Sequence, residues 1–460
     1  MKKIWMISAI ASTLLCAQET TQESIEQQLE SKKVNAPKAN GYMPDISLIV
    51  DASYTNQSWD EDGHTDELEL PGLVHGGGHN HEGHSHTSLA GEDGFNLNYA
   101  ELTIGASVDK YFDLKGVFHL TEDDFEIEEA FATTRSLPYH LQFKVGKFKS
   151  DFGYLNKQHH HNYNFSDMPL VYSAILGDHG LTEQGFQLQY VVPSEQYIMV
   201  GIEAFKGENE RSFGNEGFTV GGDRHDHHEH EEEHGDHDEH EEEGHEEEHG
   251  DHEEGHLTSI DDTDFPSLWV AYAKTSFDIG KGTLLAGVSM AQGDSRMNHL
   301  EDESSHAYEG ENTLYGVDLT YKHYFAADHA VTWQSEYMYR EMDGTVYSQK
   351  ADWKGMSMKK EHAGYYTELV YQYDSNYRAG LRYSAINQND VTVNGNAAAR
   401  PDDMYVASAM LEYNPTEFSR IRLQYNHNSS LYDEEGQKNN KNEIIVQFNY
   451  AIGAHGAHAF

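Results

Sequence analysis

The chain has 460 residues, with 79 Asp and Glu against 31 Lys and Arg, a formal net charge of −48. That balance excludes nucleic acid as a partner and favours cations. Beyond the N-terminus no stretch approaches the ~20 consecutive apolar residues of a membrane helix.

In chain order, residues 1–17 (MKKIWMISAIASTLLCA) come first. Lys2 and Lys3 precede an apolar run, and Leu15-Cys16-Ala17 is an acceptable cleavage tripeptide. This is a secretory signal rather than a membrane span. A lipoprotein reading of Cys16 is weaker, because Leu15 is larger than the usual small residue. Cleavage after Ala17 removes the single cysteine, and with it disulfides, thiolate zinc sites and cysteine catalysis. Residues 18–43 are polar, include TTQESIEQQLESKK, and read as a periplasmic leader.

From residue 44 the dominant period is two. Ile46, Leu48, Val50, Ala52 and Tyr54 alternate with polar neighbours, as do Tyr377, Ala379, Leu381, Tyr383 and Ala385. Strands with one apolar and one polar face repeat in this way. Sixteen are predicted, near 44–55, 94–108, 113–122, 125–134, 140–153, 182–192, 197–206 and 266–277. The others lie near 282–292, 312–323, 329–341, 362–373, 377–388, 403–413, 419–428 and 442–453. Apart from a short turn near Asp123, short connections alternate with long ones, the pattern of periplasmic turns and outer loops. The predicted fold is all-β: residues 44–460 form a transmembrane antiparallel barrel of about sixteen strands in the bacterial outer membrane. Long His/Glu-rich extracellular loops at 56–93 and 207–265 crown it. The 29 tyrosines, many near strand ends, suit aromatic girdles, and the chain closes on Phe460. A soluble all-β protein is the alternative.

Two tracts carry most of the chemistry. HGGGHNHEGHSH (75–86) offers His75, His79, His81, His84 and His86. The second, residues 223–256, is almost entirely His, Asp, Glu and Gly, and repeats EEEHGDH at 231–237 and 246–252. Its candidate ligands are His225, His227, His228, His230, His234 and His237. His240, His245, His249, His252 and His256 complete it. Neutral imidazoles with neighbouring carboxylates bind zinc, nickel or copper, and flexible tracts bind ions weakly and exchange them fast. Zn2+ is the leading candidate, with Ni2+ and Cu2+ next; no organic cofactor is expected. Protonation below about pH 6 would release metal from histidine. The alternative is a solvated acidic brush.

A more localised group comprises His159, His160 and His161 with Asp178 and His179, all in the predicted outer connection 154–181. His455 and His458 form either an exit site or a tail. Arg340, Arg378, Arg382, Arg420 and Arg422 fall on the polar faces of late strands and are predicted to line the pore. Glu336, Glu368 and Glu412 are candidate partners for them. Lys144, Lys147 and Lys149 read as strand and rim charges. No nucleophile–base arrangement, G-x-S-x-G, H-E-x-x-H or phosphate loop is present, so an enzyme is not expected.

At VGKFKSDFGYLNKQHHH (145–161), DHGLTEQGFQLQY (178–190) and GAHGAHAF (453–460) the chain resembles a family of zinc-regulated outer-membrane proteins, often labelled TonB-dependent receptors. The GKF…FG…N stretch also resembles porins of the phosphate-selective type. The resemblance implies expression under zinc scarcity and a role in zinc entry, with His159, His160, His161, Asp178 and His179 as site residues. TonB-dependent transporters plug a barrel of about 22 strands, whereas sixteen suit an open channel.

The functional expectation is therefore an outer-membrane channel that captures divalent metal and admits it by diffusion. Lipid and divalent ions would be its partners and a homotrimer its assembly, by fold-level analogy. A general porin and an energy-coupled receptor for a metal complex are the rivals.

Overall fold

A computed structural model describes residues 44–59, 93–121, 125–209, 211–221, 257–300, 306–398, 403–432 and 438–453. The signal and leader segments, both histidine tracts, His455 and His458 lie outside these residues.

The period-two segments all form strands. In order they are β1 (Asp45–Trp59), β2 (Gly94–Ser107), β3 (Phe112–Leu120), β4 (Phe125–Thr134) and β5 (Leu141–Lys149). After a helix at Leu170–Leu176 come β6 (Thr182–Val191), β7 (Ile198–Phe205), β8 (Phe218–Val220) and β9 (Thr258–Ile260). Next are β10 (Leu268–Ile279), β11 (Gly282–His299), β12 (His306–Tyr324), β13 (Ala330–Ser348) and β14 (Met356–Gln372). The series ends with β15 (Tyr377–Val393), β16 (Asn396–Ala398), β17 (Met404–Thr416), β18 (Ser419–Tyr432) and β19 (Lys438–Gly453).

Seventeen of these form one sheet, and β8 pairs with β9 separately. Within the sheet, β16 is a three-residue annex folded back on β15. The remaining sixteen are antiparallel to their neighbours, and pairing of β1 with β19 closes the ring. Closure leaves no sheet edge, the condition for a sheet to cross a bilayer.

The faces are inverted relative to a soluble sheet. Along β17, Ser408, Met410, Glu412 and Asn414 are buried while Ala409, Leu411 and Tyr413 are exposed. On β15, Leu381 is 64% exposed and its neighbour Arg382 is 4% exposed. Apolar-out and polar-in is the signature of a barrel bathed in lipid. Tyrosines band the outside at two heights: Tyr377 stacks on Tyr413 at 5.0 Å, and Tyr383 on Tyr405 at 5.7 Å. The six-residue step from Tyr377 to Tyr383 covers about 20 Å of strand.

Several strands run past their predicted outer ends. β13 continues to Ser348, β15 to Val393, β11 to His299, and β12 begins at His306. Above the upper tyrosines the outward face turns polar, as in Lys359–Asp343 (2.7 Å) and Gln388–Glu361 (2.8 Å). The inward face there carries a buried apolar cluster that includes Met342, Met358 and Val391, so the apolar and polar faces exchange sides although the ladder continues. The opposite difference occurs after β5. Residues 150–153, expected to extend that strand, turn into the lumen.

Candidate metal centre and the inward loop

Residues 150–181 leave the top of β5 and fold inside the barrel instead of standing above it. Their apolar side chains Phe152, Leu155, Val171, Tyr172 and Ile175 form an interior core with Phe148, Phe205 and Leu268. Phe152 lies so close to Gly316 of β12 that a Cβ there would sit 2.7 Å from its ring. Gly153, at φ +64°, makes the bend in a conformation that disfavours a side chain. The bend aims the Tyr154 and Leu155 N–H groups at the buried Glu336 carboxylate, at 3.0 and 2.9 Å. Tyr172 and Tyr366 hydroxyls donate to the same carboxylate at 2.8 and 2.6 Å.

One flank of the loop meets β2, β3 and β4. Register places Glu101 of β2 opposite His119 of β3, both facing inward. On β4, Glu129 pairs with Val117 and Ile127 with Phe118, so Glu128 is bulged out of the ladder. A bulge re-aims side chains, and here it buries two consecutive glutamates. The loop adds His159 and His161.

Six acidic and imidazole side chains thereby meet. His159 Nδ1 is 2.9 Å from Glu128 Oε2 and 3.6 Å from Glu101 Oε2, and its Nε2 is 3.0 Å from Glu129 Oε2. His119 Nε2 reaches Glu128 Oε2 at 2.9 Å and Glu101 Oε2 at 3.4 Å. His161 Nδ1 reaches Glu101 Oε2 at 3.1 Å, and Lys149 Nζ holds Glu128 Oε1 at 2.9 Å. One ligand atom from each of Glu101, Glu128 and His159 lies within 4.8 Å of the other two. These are nitrogen and oxygen donors of the kind that suit divalent transition ions.

Neighbouring histidines of the loop differ sharply. Burial draws the His159 pKa down, but Glu128, Glu129 and Glu101 overcome it and push it up to about 9. Burial, aided by Lys149, pulls His160 down to about 3. His160 packs against Tyr163 at 5.2 Å, and its Nε2 finds no hydrogen-bond partner. Of the predicted group, then, His159 and His161 enter the cluster, while His160 contributes a ring. His179 is exposed, 3.9 Å from Glu126, and Asp178 is half-buried away from the cluster. Sequence reasoning missed Glu101, His119, Glu128 and Glu129. The doubled glutamate in FEIEEAF, which breaks a period-two strand, was the available signal.

The other flank meets arginines. All five predicted residues face inward, and four of them grip the loop. Arg382 binds Asp167 through its carboxylate (2.6 Å) and its carbonyl (2.7 Å). Gln424 and Asn426 complete the grip on Asp167 at 2.5 and 3.1 Å. Arg422 donates to the Tyr163 carbonyl (2.8 Å) and to Glu412 (2.7 Å). Arg378 joins Glu412 (3.0 Å) to Asn164, and Arg420 stands 4.0 Å from Glu412. Arg340 donates to the Arg211 carbonyl (2.7 Å), to Ser212 Oγ (2.9 Å) and to His362 Nδ1 (2.9 Å), with a longer bond to the Ile175 carbonyl (3.4 Å). Of the rim lysines, Lys149 is buried in the cluster and Lys144 lies over the Phe148 ring at 4.7 Å. Lys147 pairs with Glu126 at 3.4 Å.

A closed sixteen-stranded ring with a lipid-facing apolar band and a loop folded into its lumen defines the porin class of outer-membrane barrels. Solved structures of similar architecture include the outer-membrane channel DcaP of Acinetobacter baumannii (12% identity, 89% of this chain and 96% of that one, TM-score 0.46). In vitro folded OmpT of Vibrio cholerae is another (9% identity, 91% and 100%, TM-score 0.47). So is an anion-selective porin from Comamonas acidovorans (9% identity, 89% and 99%, TM-score 0.46). No protein-family model matches the chain. A protein of Aquifex aeolicus (strain VF5), described as uncharacterized, is 42% identical over 436 residues, 95% of this chain and 84% of its own length. The chain belongs to the family of that Aquifex protein.

Proposed function

We propose that this outer-membrane barrel is a channel whose cargo is a divalent transition metal, zinc first among the candidates. Ions would be concentrated by the acidic outer tracts, held briefly on their histidines, and passed down the lumen by diffusion. One observation carries the reading. Imidazole–carboxylate chemistry is concentrated in the two tracts at 75–86 and 223–256. The electrostatic share of capture should weaken with salt, because exposed charges are screened within about 8 Å at physiological ionic strength.

Zinc flux into liposomes holding the purified protein, without an energy source, tests the reading. Flux that falls when residues 75–86 and 223–256 are removed supports it. Flux indifferent to the tracts leaves a general porin for small hydrophilic solutes. Absence of flux points to an energy-coupled receptor for a metal complex.

A further inference from the structure

We propose that Glu101, Glu128 and His159 hold one resident divalent transition ion that clamps the inward loop to the β2–β4 wall. The clamp goes beyond the transport reading, because it applies whatever solute passes through the lumen.

Lone-pair chemistry leads to this assignment. A neutral imidazole has one N–H, and a carboxylate only accepts. His159 presents both ring nitrogens to carboxylates, Nδ1 to Glu128 and Nε2 to Glu129. Two arrangements satisfy both contacts: an imidazolium that donates from each nitrogen, or a neutral ring with a cation at the meeting point of Nδ1, Glu128 Oε2 and Glu101 Oε2. His119 Nε2 turns to the same two oxygens, so nitrogen and oxygen donors from three strands and the loop converge there. With the cation bound, Nε2–H donates to Glu129, the carboxylate–histidine–metal arrangement that orients ligating histidines.

Size and charge agree. Ligands about 2.0–2.2 Å from a zinc-class ion stand roughly 3.0–3.6 Å apart, and His159 Nδ1 lies 2.9 and 3.6 Å from the two carboxylate oxygens. Three carboxylates face two ammonium groups, the buried Lys149 and the 39% exposed Lys115, so the acidic groups outnumber the fixed cations. The Glu128 carboxylate is divided, with Oε1 on Lys149 and Oε2 turned to the histidines. His119 is a fourth donor within 3.4 Å of both carboxylates, and His161 steadies Glu101. Glu101, Glu128 and His159 are each less than a tenth exposed, as a slowly exchanging site requires and a transit site does not. Two ligands come from the wall and one from the loop, so occupancy ties the two together.

The test uses the full-length chain, loaded with Zn2+ and then passed over a chelating resin that strips weak, exposed sites. One equivalent of zinc per chain should survive, and should fall at least tenfold in Glu128→Gln and in His159→Gln. His179→Ala, outside the cluster, should retain it. Hydrogen exchange over residues 154–163 of the unmodified chain, with Zn2+ and after exhaustive chelation, needs no variant to fold. It should slow at least tenfold with the ion present. A chain that keeps no equivalent overturns the assignment. So does an equivalent that survives both substitutions, or exchange indifferent to zinc. Loss of the clamp would leave flux through the outer tracts untouched, so the two readings fail separately.

Discussion

The two flanks of the inward loop are held by opposite chemistries. On the β13–β18 side, guanidinium groups meet Glu412, Asp167 and backbone carbonyls in forked, charge-assisted bonds. On the β2–β4 side, carboxylates meet imidazoles. Guanidinium keeps its proton at every working pH, so the first flank is a fixed anchor. Imidazole can trade a proton for a metal, so the second is exchangeable. The walls differ too: β3 and β4 have 9 and 10 residues, β13 and β15 have 19 and 17. The fixed anchor stands on the tall wall and the exchangeable one on the low wall. A loop held this way can change its grip on one side while staying in register on the other.

Breaking the fixed anchor should have the largest effect. Glu412→Gln strands Arg422 and Arg378 without their shared anion, and removing one partner of a buried pair costs about 3–5 kcal/mol. A lower denaturant midpoint for the folded barrel is the expected readout, and an unchanged midpoint would show the anchor to be ornamental. Asp167→Asn keeps the shape of the loop but weakens the charge-assisted bonds from Arg382. A loss of roughly 1.5–3 kcal/mol is expected, with noisier single-channel current as the loop loosens.

The exchangeable side should respond in affinity more than in stability. Glu129→Gln removes the charged acceptor behind His159 Nε2. Partners of that kind are worth about 10–100-fold in metal affinity, so a competition titration with a zinc chelator should register a loss of that order. The smallest effect is expected outside the barrel wall. Deleting 223–256 should move the unfolding midpoint by less than about 0.5 kcal/mol, while zinc flux falls. A large stability loss would mean that the tract packs against the barrel.

The barrel was legible in the sequence because its code is local. Alternation along Ile46–Tyr54 or Tyr377–Ala385 fixes which face meets lipid. The inward arginines were legible for the same reason, since Arg382 is one residue from the outward Leu381. The centre at Glu101 was not. His161 lies 60 residues from its partner Glu101 and reaches it only because the loop turns inward. Glu128 joins only because one residue is bulged out of the β3–β4 ladder, and His119 only because register sets it opposite Glu101. The sequence by itself determined a lipid-facing sheet, its closure count and a supply of histidines and carboxylates. Tertiary structure alone decided which of them meet, because strand periodicity acts over two residues while a metal site is assembled by register, bulge and loop path across the whole barrel.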